Sequence, residues 1–306
     1  MNKLKIILVM SIVLMYANSL KAQYIIEQIE YEIPINYELL KEGTDFEDPI
    51  DEAKFFLNLP EGKLKASAYS EYDEMEIQKS TIYISGDNFA VDSQTKEEGK
   101  ITVISNYNKG IIYYVLWSQK KVYEMSKEDM ENIQAEANDA VQKMMEQLPP
   151  EMREQAKMVM EAEKGQQESK QKIISTGKKM NKYGYSCDQY IIEGDNDVMT
   201  IWASDDILGL AKKAQHVSEK LSKIFKTDDK KEKDEWDLVS GRIPIEVRTY
   251  QMDPMIGARM EIQAITKINK TNPPAEKFIV PGEAQGFTRS SFKEMMNQMM
   301  QGQRAK

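Results

Sequence analysis

Residues 172–204 read K-I-I-S-T-G-K-K-M-N-K-Y-G-Y-S-C-D-Q-Y-I-I-E-G-D-N-D-V-M-T-I-W-A-S. Two apolar strands in this stretch are joined by a turn, Gly194-Asp195-Asn196-Asp197, because clusters of Gly, Asn and Asp between apolar runs favour hairpins. The stretch also contains Cys187, the single cysteine of the chain. A lone cysteine between strand residues is expected to be buried. A meander of this kind is typical of secreted β-rich domains that bind or carry another molecule.

The N-terminus has the pattern of an export signal. Lys3 and Lys5 precede an apolar run over residues 6–17, and the small residue Ala22 precedes the polar Gln23. This pattern indicates a secretory signal peptide over residues 1–22, with an uncleaved anchor as the alternative. The apolar run is short for a membrane span. We therefore expect an exported protein, periplasmic or extracellular, that is not an integral membrane protein.

The charge of the chain limits its partners. The 306 residues carry a formal net charge of −9 and contain one histidine. An acidic chain is repelled by phosphate backbones, so the composition argues against a nucleic-acid partner.

The remaining pattern predicts strands interrupted by helices. Strands are predicted at 24–35, 53–59 and 63–69, in a meander over residues 80–125, and at 241–252 and 258–270. Residues 41–52 are interpreted as an acidic loop. A helical insert over residues 126–168 begins at a capping pair, Ser126 and Asp129, and is broken at Pro149-Pro150. A further helix is predicted over residues 205–225.

These elements predict an α+β fold in one domain over residues 23–289. The predicted sheet is a curved antiparallel one, an unclosed half-barrel, with helices packed on its concave face. Residues 290–306 are predicted to form a peripheral amphipathic helix, because their apolar residues recur at helical spacing: Phe292, Met295, Met296, Met299 and Met300. Deletion of this helix is expected to move the thermal midpoint by only a few degrees.

No enzyme class gains support from the sequence, so we predict no catalytic residues. A nucleophile with a histidine partner would require Cys187 and His216, which lie in a predicted strand and a predicted helix. One histidine and one cysteine do not make a zinc site, which takes four N or S ligands. The phosphate-binding glycine motifs are missing as well. We therefore predict no metal and no cofactor.

The methionines and aromatic residues supply the candidate ligand-binding residues. The chain contains 20 methionines, and flexible Met side chains are common on surfaces that accept varied apolar partners. Ordinary core packing is the alternative for each of them. The candidate ligand-binding residues are Tyr113, Trp117, Met144, Met145 and Trp202.

Several segments together resemble a known family. They are T-I-Y-I-S-G-D-N-F-A-V-D at residues 81–92, K-K-V-Y-E-M at 120–125, a G-Y-x-C-x-x-Y motif at 184–190, and V-M-T-I-W-A-S at 198–204. In this order the chain resembles domain of unknown function 4412 over about residues 76–204, with a weaker continuation to 281. That family is similar to the periplasmic lipoprotein-carrier (LolA-like) group. The resemblance implies an unclosed curved sheet with an apolar ligand site between sheet and helices.

Two functions therefore remain open. The first is an exported non-enzymatic binding or carrier protein for an apolar ligand, such as a lipid, an acyl chain or a lipoprotein, held between sheet and helices. The alternative is a structural or interaction protein of the envelope, with a filled core, no ligand and an envelope protein as its partner.

Overall fold

The computed structural model describes one sheet of twelve strands. The described residues are 23–41, 46, 48–67, 77–86, 88–96, 98–106, 110–126, 128, 129, 132, 135, 143, 145, 152, 153, 172–194, 198–205, 242–253 and 257–295. The strands are β1 Gln23–Pro34, β2 Gln78–Ser85, β3 Asn88–Thr95, β4 Gly99–Asn106, β5 Ile111–Leu116, β6 Lys121–Ser126, β7 Lys172–Lys182, β8 Tyr185–Glu193, β9 Val198–Ser204, β10 Ile243–Asp253, β11 Gly257–Asn269 and β12 Thr288–Ser291.

The sheet consists of two meanders joined edge to edge. Its strand order is β12-β6-β5-β4-β3-β2-β1-β11-β10-β9-β8-β7. We call β1–β6 the N-terminal meander and β7–β11 the C-terminal meander. They meet where β1 pairs antiparallel with β11, with Tyr31 opposite Ile262. The strand β12 is parallel to β6, and β7 forms the other end of the sheet.

Three short helices between β1 and β2 cover one face of the C-terminal meander, which we call the first face. They are α1 Tyr37–Lys41, α2 Pro49–Leu57 and α3 Glu61–Ser67. The Asp48 side chain caps α2 by accepting a hydrogen bond of 2.8 Å from the Ile50 N–H, and Pro49 occupies the first turn. The shared apolar cluster combines helix and strand residues, among them Phe56, Leu57, Leu64, Tyr31, Tyr250, Met260 and Ile262.

The C-terminal segment covers the first face of the N-terminal meander. Residues 275–288, which we call the tail cover, pack Phe278, Val280 and Phe287 against strands β3–β6. The tail cover is held by a hydrogen bond of 2.9 Å from the Thr288 N–H to the Lys120 carbonyl. Beyond β12 the chain turns to the second face, where Met295 packs with side chains from β4, β5 and β6: Ile101, Leu116 and Tyr123.

The predicted fold class is wrong. An α+β half-barrel with helices on its concave face was expected, whereas the described chain is mostly strand and forms an open twelve-stranded sheet. Where the structure describes them, the strands predicted at 53–59 and 63–69 are the helices α2 and α3 instead, and residues 49–52 of the predicted acidic loop form the first turn of α2. The insert 126–168 is described at its start and at isolated positions. The predicted helix 205–225 lies, except for Asp205, outside the described residues, as does the signal peptide 1–22.

Other predictions about the fold are confirmed. Strands lie at the predicted places in β1, in the meander β2–β6, and in β8–β11. Cys187 is buried. The capping pair is reciprocal, since the Ser126 N–H donates to Asp129 Oδ2 at 2.8 Å and the Asp129 N–H donates to Ser126 Oγ at 3.1 Å. A separate observation is that no helix among the described residues has the length and apolar character needed to cross a membrane.

Candidate functional site

The structure places two of the predicted ligand-binding residues together. Tyr113 lies on β5, buried beneath the tail cover. Trp117 follows the same strand, is partly exposed, and donates from Nε1 to Thr102 Oγ1 at 2.8 Å. Its ring meets that of Phe287 edge to face, with centroids 5.3 Å apart. Both aromatic residues therefore hold the tail cover in place.

Trp202 lies elsewhere. It is buried on the first face of β9, which is seven strand spacings from β5 in the sheet order, roughly 34 Å along the sheet. Met145 is half-buried in a helical segment, and Met144 is outside the described residues. The five residues thus do not form one patch among the described residues, and their role in binding stays a prediction.

A small cavity lies between the two meanders. Its volume is about 30 Å³, and its lining comes from β1, β2, β10 and β11: Gln28, Ile29, Glu30, Ser80, Pro244, Ile245, Val247, Gln263, Ala264 and Ile265. A cavity of this size has room for about two water molecules. It does not have room for an acyl chain.

A group of buried and half-buried charges on the first face of the C-terminal meander forms the candidate site. We call Glu61, Lys182, Glu246 and Arg248 the charge cluster. Glu246 and Arg248 alternate along β10 and point to the same face. Glu246 is 1% exposed and its Oε1 accepts from Arg248 Nε at 2.7 Å and from Lys182 Nζ at 2.8 Å. Burial of a carboxylate requires such partners, because an unpaired buried charge is costly.

Helix α3 supplies the second carboxylate of the charge cluster. Glu61 Oε1 accepts from the Tyr31 hydroxyl at 2.8 Å and is paired with Lys65, while Oε2 lies 3.8 Å from Arg248 Nη2. Burial alone would raise the pKa of Glu61, but the hydrogen bonds from Lys65 and Tyr31 hold that pKa below its usual value. Glu61 is therefore ionised at neutral pH.

The hairpin between β7 and β8 forms the rim of the cluster. Its two-residue turn, Tyr183-Gly184, has φ values of 51° and 89°, the positive values that type I′ turns require. A tyrosine in this region costs on the order of 1 kcal/mol. Burial, followed by the charges of Glu246 and Glu61, raises the pKa of Tyr183. The Tyr183 ring, which is partly exposed, therefore lies between the cluster and the solvent.

Thr200 on β9 is the unexplained polar group of this region. It lies directly across from Arg248 in the β9–β10 ladder, so the two side chains share the first face. Thr200 is 0% exposed, and its Oγ1 has no hydrogen-bond partner among the described residues. A buried hydroxyl without a partner costs about 1–3 kcal/mol, and native proteins contain few of them.

The charge cluster is suited to fixed hydrogen bonding rather than to proton transfer. Glu61 stays ionised, and burial together with the Glu61 hydrogen bond raises the pKa of Tyr31 strongly, so that its hydroxyl stays a donor. Sequence reasoning missed this site because an alternating strand normally exposes its charged face. The available signal was the pair of opposite charges two residues apart, Glu246 and Arg248, directly after the apolar residues at 243–245.

One family model matches the part of the chain that contains the C-terminal meander. The family model "Domain of unknown function (DUF4412)" matches residues 142–284, a little under half of the chain, and this range contains β7–β11. Three members of the charge cluster fall inside it, and Glu61 falls outside. None of the curated proteins compared with the chain matches it.

Two solved structures are distantly similar. An uncharacterized conserved protein from Thermus thermophilus is 6% identical, with 89% of this chain and 92% of that chain covered and a TM-score of 0.37. PNGF-II is 9% identical, with 91% of this chain and 33% of that chain covered and a TM-score of 0.27; the chain spans about a third of its length. Scores this low carry no argument. The similarity to the lipoprotein-carrier group is confirmed by none of these proteins and stays a prediction.

Proposed function

We propose that this chain is an exported, non-enzymatic interaction protein of the cell envelope. The observation that carries the proposal is the close apolar packing of the helices α2 and α3 on the sheet. Phe56, Leu57 and Leu64 pack directly on the C-terminal meander, and the cavity beside β1 and β11 measures about 30 Å³. A protein whose described core is closed in this way would act through its surface.

Export rests on the sequence of residues 1–22, and the absence of enzymatic activity rests on the lack of a catalytic pattern. The charge cluster supports the second point, since its carboxylates are engaged with cations at hydrogen-bond distance. General acid–base catalysis needs a group whose pKa lies near the working pH, and the pKa of Glu61 is lowered instead.

A carrier for an apolar ligand is the second candidate. It rests on the resemblance to the lipoprotein-carrier group. On the second face Ile26, Ile82 and Phe89 are already fully buried by the protein itself. A carrier would hold a lipid, acyl chain or lipoprotein against another apolar surface, so the two candidates differ in whether such a ligand is bound.

Native mass spectrometry of the mature protein, gently purified from the envelope fraction, separates the candidates. The interaction protein should show the mass of the chain alone, beginning near Gln23. A stoichiometric lipid mass that disappears after solvent extraction would overturn the filled-core proposal and establish the carrier. An intact Met1 in the cytosolic fraction would overturn export.

Cross-linking in intact cells tests the partner. The interaction protein should give a discrete adduct with another envelope protein, and the same adduct should persist after the solvent extraction that would strip a lipid. Recovery of monomer alone at saturating cross-linker would contradict an interaction role.

A further inference from the structure

We propose that the charge cluster and Thr200 form a binding site for the carboxylate group of a small organic acid. The site lies beneath α3 and the Tyr183-Gly184 turn, and the acid would accept hydrogen bonds from Arg248, Lys182 and Thr200. This inference is independent of the proposed envelope interaction, because it concerns the first face and a small polar ligand.

The cations of the cluster retain donors for such a ligand. Arg248 uses Nε for Glu246, while Nη1 contacts the Leu59 carbonyl at 3.4 Å and Nη2 lies 3.8 Å from Glu61. These last two contacts are long for hydrogen bonds. Lys182 donates to Glu246 and lies over the Trp202 ring at 5.3 Å, and an ammonium group has three N–H donors. A carboxylate is the acceptor that matches the planar fork of an arginine.

Thr200 gives an independent reason to place a ligand here. Its hydroxyl is buried without a partner among the described residues, and it lies across the ladder from Arg248. Directly opposed side chains have Cβ atoms about 5 Å apart. The register thus places the two side chains on one face, and we propose that one carboxylate accepts from the Thr200 hydroxyl with one oxygen and from Arg248 with the other. The ligand would satisfy the polar atom that the described residues leave unsatisfied.

The charge balance favours an anion with a single charge. The charge cluster is neutral by itself, with the cations Lys182 and Arg248 and the carboxylates Glu61 and Glu246, and the partly exposed Lys65 beside Glu61 adds one positive charge. A monoanion neutralises that charge. A dianion would leave an unpaired negative charge in a buried place, which is costly. The partly exposed Tyr183 ring lies where such a ligand would enter from solvent.

The test is a titration of the full mature protein with acetate at constant ionic strength, with chloride and inorganic phosphate as comparison anions. The chain contains three tryptophans, so labelling with fluorotryptophan gives three fluorine NMR signals. The signal that is missing from the Trp202→Phe variant belongs to Trp202, which lies beside the proposed site. Acetate should shift the Trp202 signal saturably and raise the thermal midpoint by a few degrees, because a ligand that binds only the folded state stabilises it. Phosphate should do so more weakly.

Thr200→Val is the decisive variant. Valine has the same shape without the hydroxyl, so the unliganded variant should be at least as stable as the parent, while its affinity for acetate should fall about tenfold or more, as expected for a lost hydrogen bond to a charged group. The control is Thr249→Val, on the second face of the adjacent strand β10. It should leave the acetate response unchanged.

A second pair of variants tests the cation. Lys182→Gln should weaken acetate binding about tenfold or more, whereas Lys267→Gln, at an exposed lysine paired with Glu27, should not. Three outcomes would overturn the proposal. The first is a Trp202 signal that moves equally with acetate and chloride, and the second is phosphate binding as tight as acetate binding. The third is a Thr200→Val variant that is more stable than the parent and keeps its full response to acetate.

Discussion

The two meanders are covered on the same face by segments of different kinds. The C-terminal meander lies under α1–α3, which follow β1 directly in the sequence. The N-terminal meander lies under the tail cover, which comes from the other end of the chain. The helical cover is continuous with the core, whereas the tail cover is attached at a few separate points.

The helical cover forms an aromatic layer. The Phe56 ring stacks on Tyr250 with centroids 5.1 Å apart and an interplanar angle of 8°, and it also contacts Tyr37 and Phe55. The Tyr250 hydroxyl donates to Glu52 on the same helix, α2. Each contact thus depends on its neighbours, so the helices and strands are expected to unfold together.

The tail cover has three anchors instead. Phe287 is 5% exposed and packs on β3, β5 and β6, Lys277 pairs with Asp92 at 2.6 Å, and the four residues of β12 pair with β6. Segments attached in this way open as a unit at a lower free energy than the whole domain. We therefore expect two segments that cover the same sheet face to differ in stability.

The largest expected effect is at Phe56. Its side chain is 0% exposed at the centre of the helical cover, so Phe56→Ala should lower the free energy of unfolding by about 3–5 kcal/mol. Urea denaturation followed by circular dichroism measures this loss. Leu39→Ala, at an exposed position on α1, is the control and should change stability by less than about 0.5 kcal/mol. A loss below about 1 kcal/mol at Phe56 would place the helical cover outside the cooperative core.

Truncation after Gly286 should have an intermediate effect. The sequence predicted a peripheral helix over residues 290–306 and a shift of a few degrees, but Phe287 and Met295 are both buried in the structure. Truncation removes the stabilisation from burying these two side chains, but it also removes the entropic cost of ordering the segment. Together these effects predict that the free energy of unfolding falls by about 2–4 kcal/mol. The corresponding fall in the thermal midpoint is about 5–15 °C.

Truncation after Met295 is the matched control, since it keeps both buried residues and should leave the midpoint within a few degrees. If the two truncations behave alike, the anchors of the tail cover contribute little. The original expectation of a detachable C-terminus would then hold for the whole segment.

Much of the sheet was predictable because its signals are local. The predicted turn at residues 194–197 and the turn residue Gly110 between apolar runs indicated the strands β4, β5, β8 and β9. The helix α2 was misread as a strand, because Phe55, Phe56 and Leu57 favour strands in isolation. Its start signal, Asp48-Pro49, is a helix cap that was interpreted as part of an acidic loop.

The remaining features depend on long-range contacts. The strand β12 has the sequence T-R-S-S, with no apolar residue, and it exists because β6 offers an unpaired edge. The charge cluster joins Glu61, Lys182 and Arg248, which are far apart in the sequence. No local sequence pattern indicates that these three residues contact one another. The five predicted ligand-binding residues were chosen by type alone, and type does not specify which sheet region a residue occupies.

The smallest expected effect concerns the ionic anchor of the tail cover. Asp92 accepts hydrogen bonds from Lys277 at 2.6 Å and from Thr102 at 2.6 Å. Burial alone would raise the pKa of Asp92, but these hydrogen bonds and the charge of Lys100 hold it below its usual value. The folded-state pKa is therefore lower than the unfolded-state pKa, which is about 3.9. The stabilisation is present above about pH 4 and is lost as the pH falls through the folded-state pKa.

Asp92→Asn should therefore lower the free energy of unfolding by about 1 kcal/mol at pH 7, a value limited by the partial exposure of both partners. The difference between the parent and Asp92→Asn should stay constant from about pH 7 to pH 5 and shrink below about pH 4, which urea denaturation at each pH would measure. Asp51→Asn, at an exposed aspartate 3.9 Å from Lys54, serves as the control and should show almost no difference. A difference that persists unchanged at about pH 2.5 would mean that the Asp92→Asn substitution disturbs packing, and that the Lys277 ion pair does not hold the tail cover.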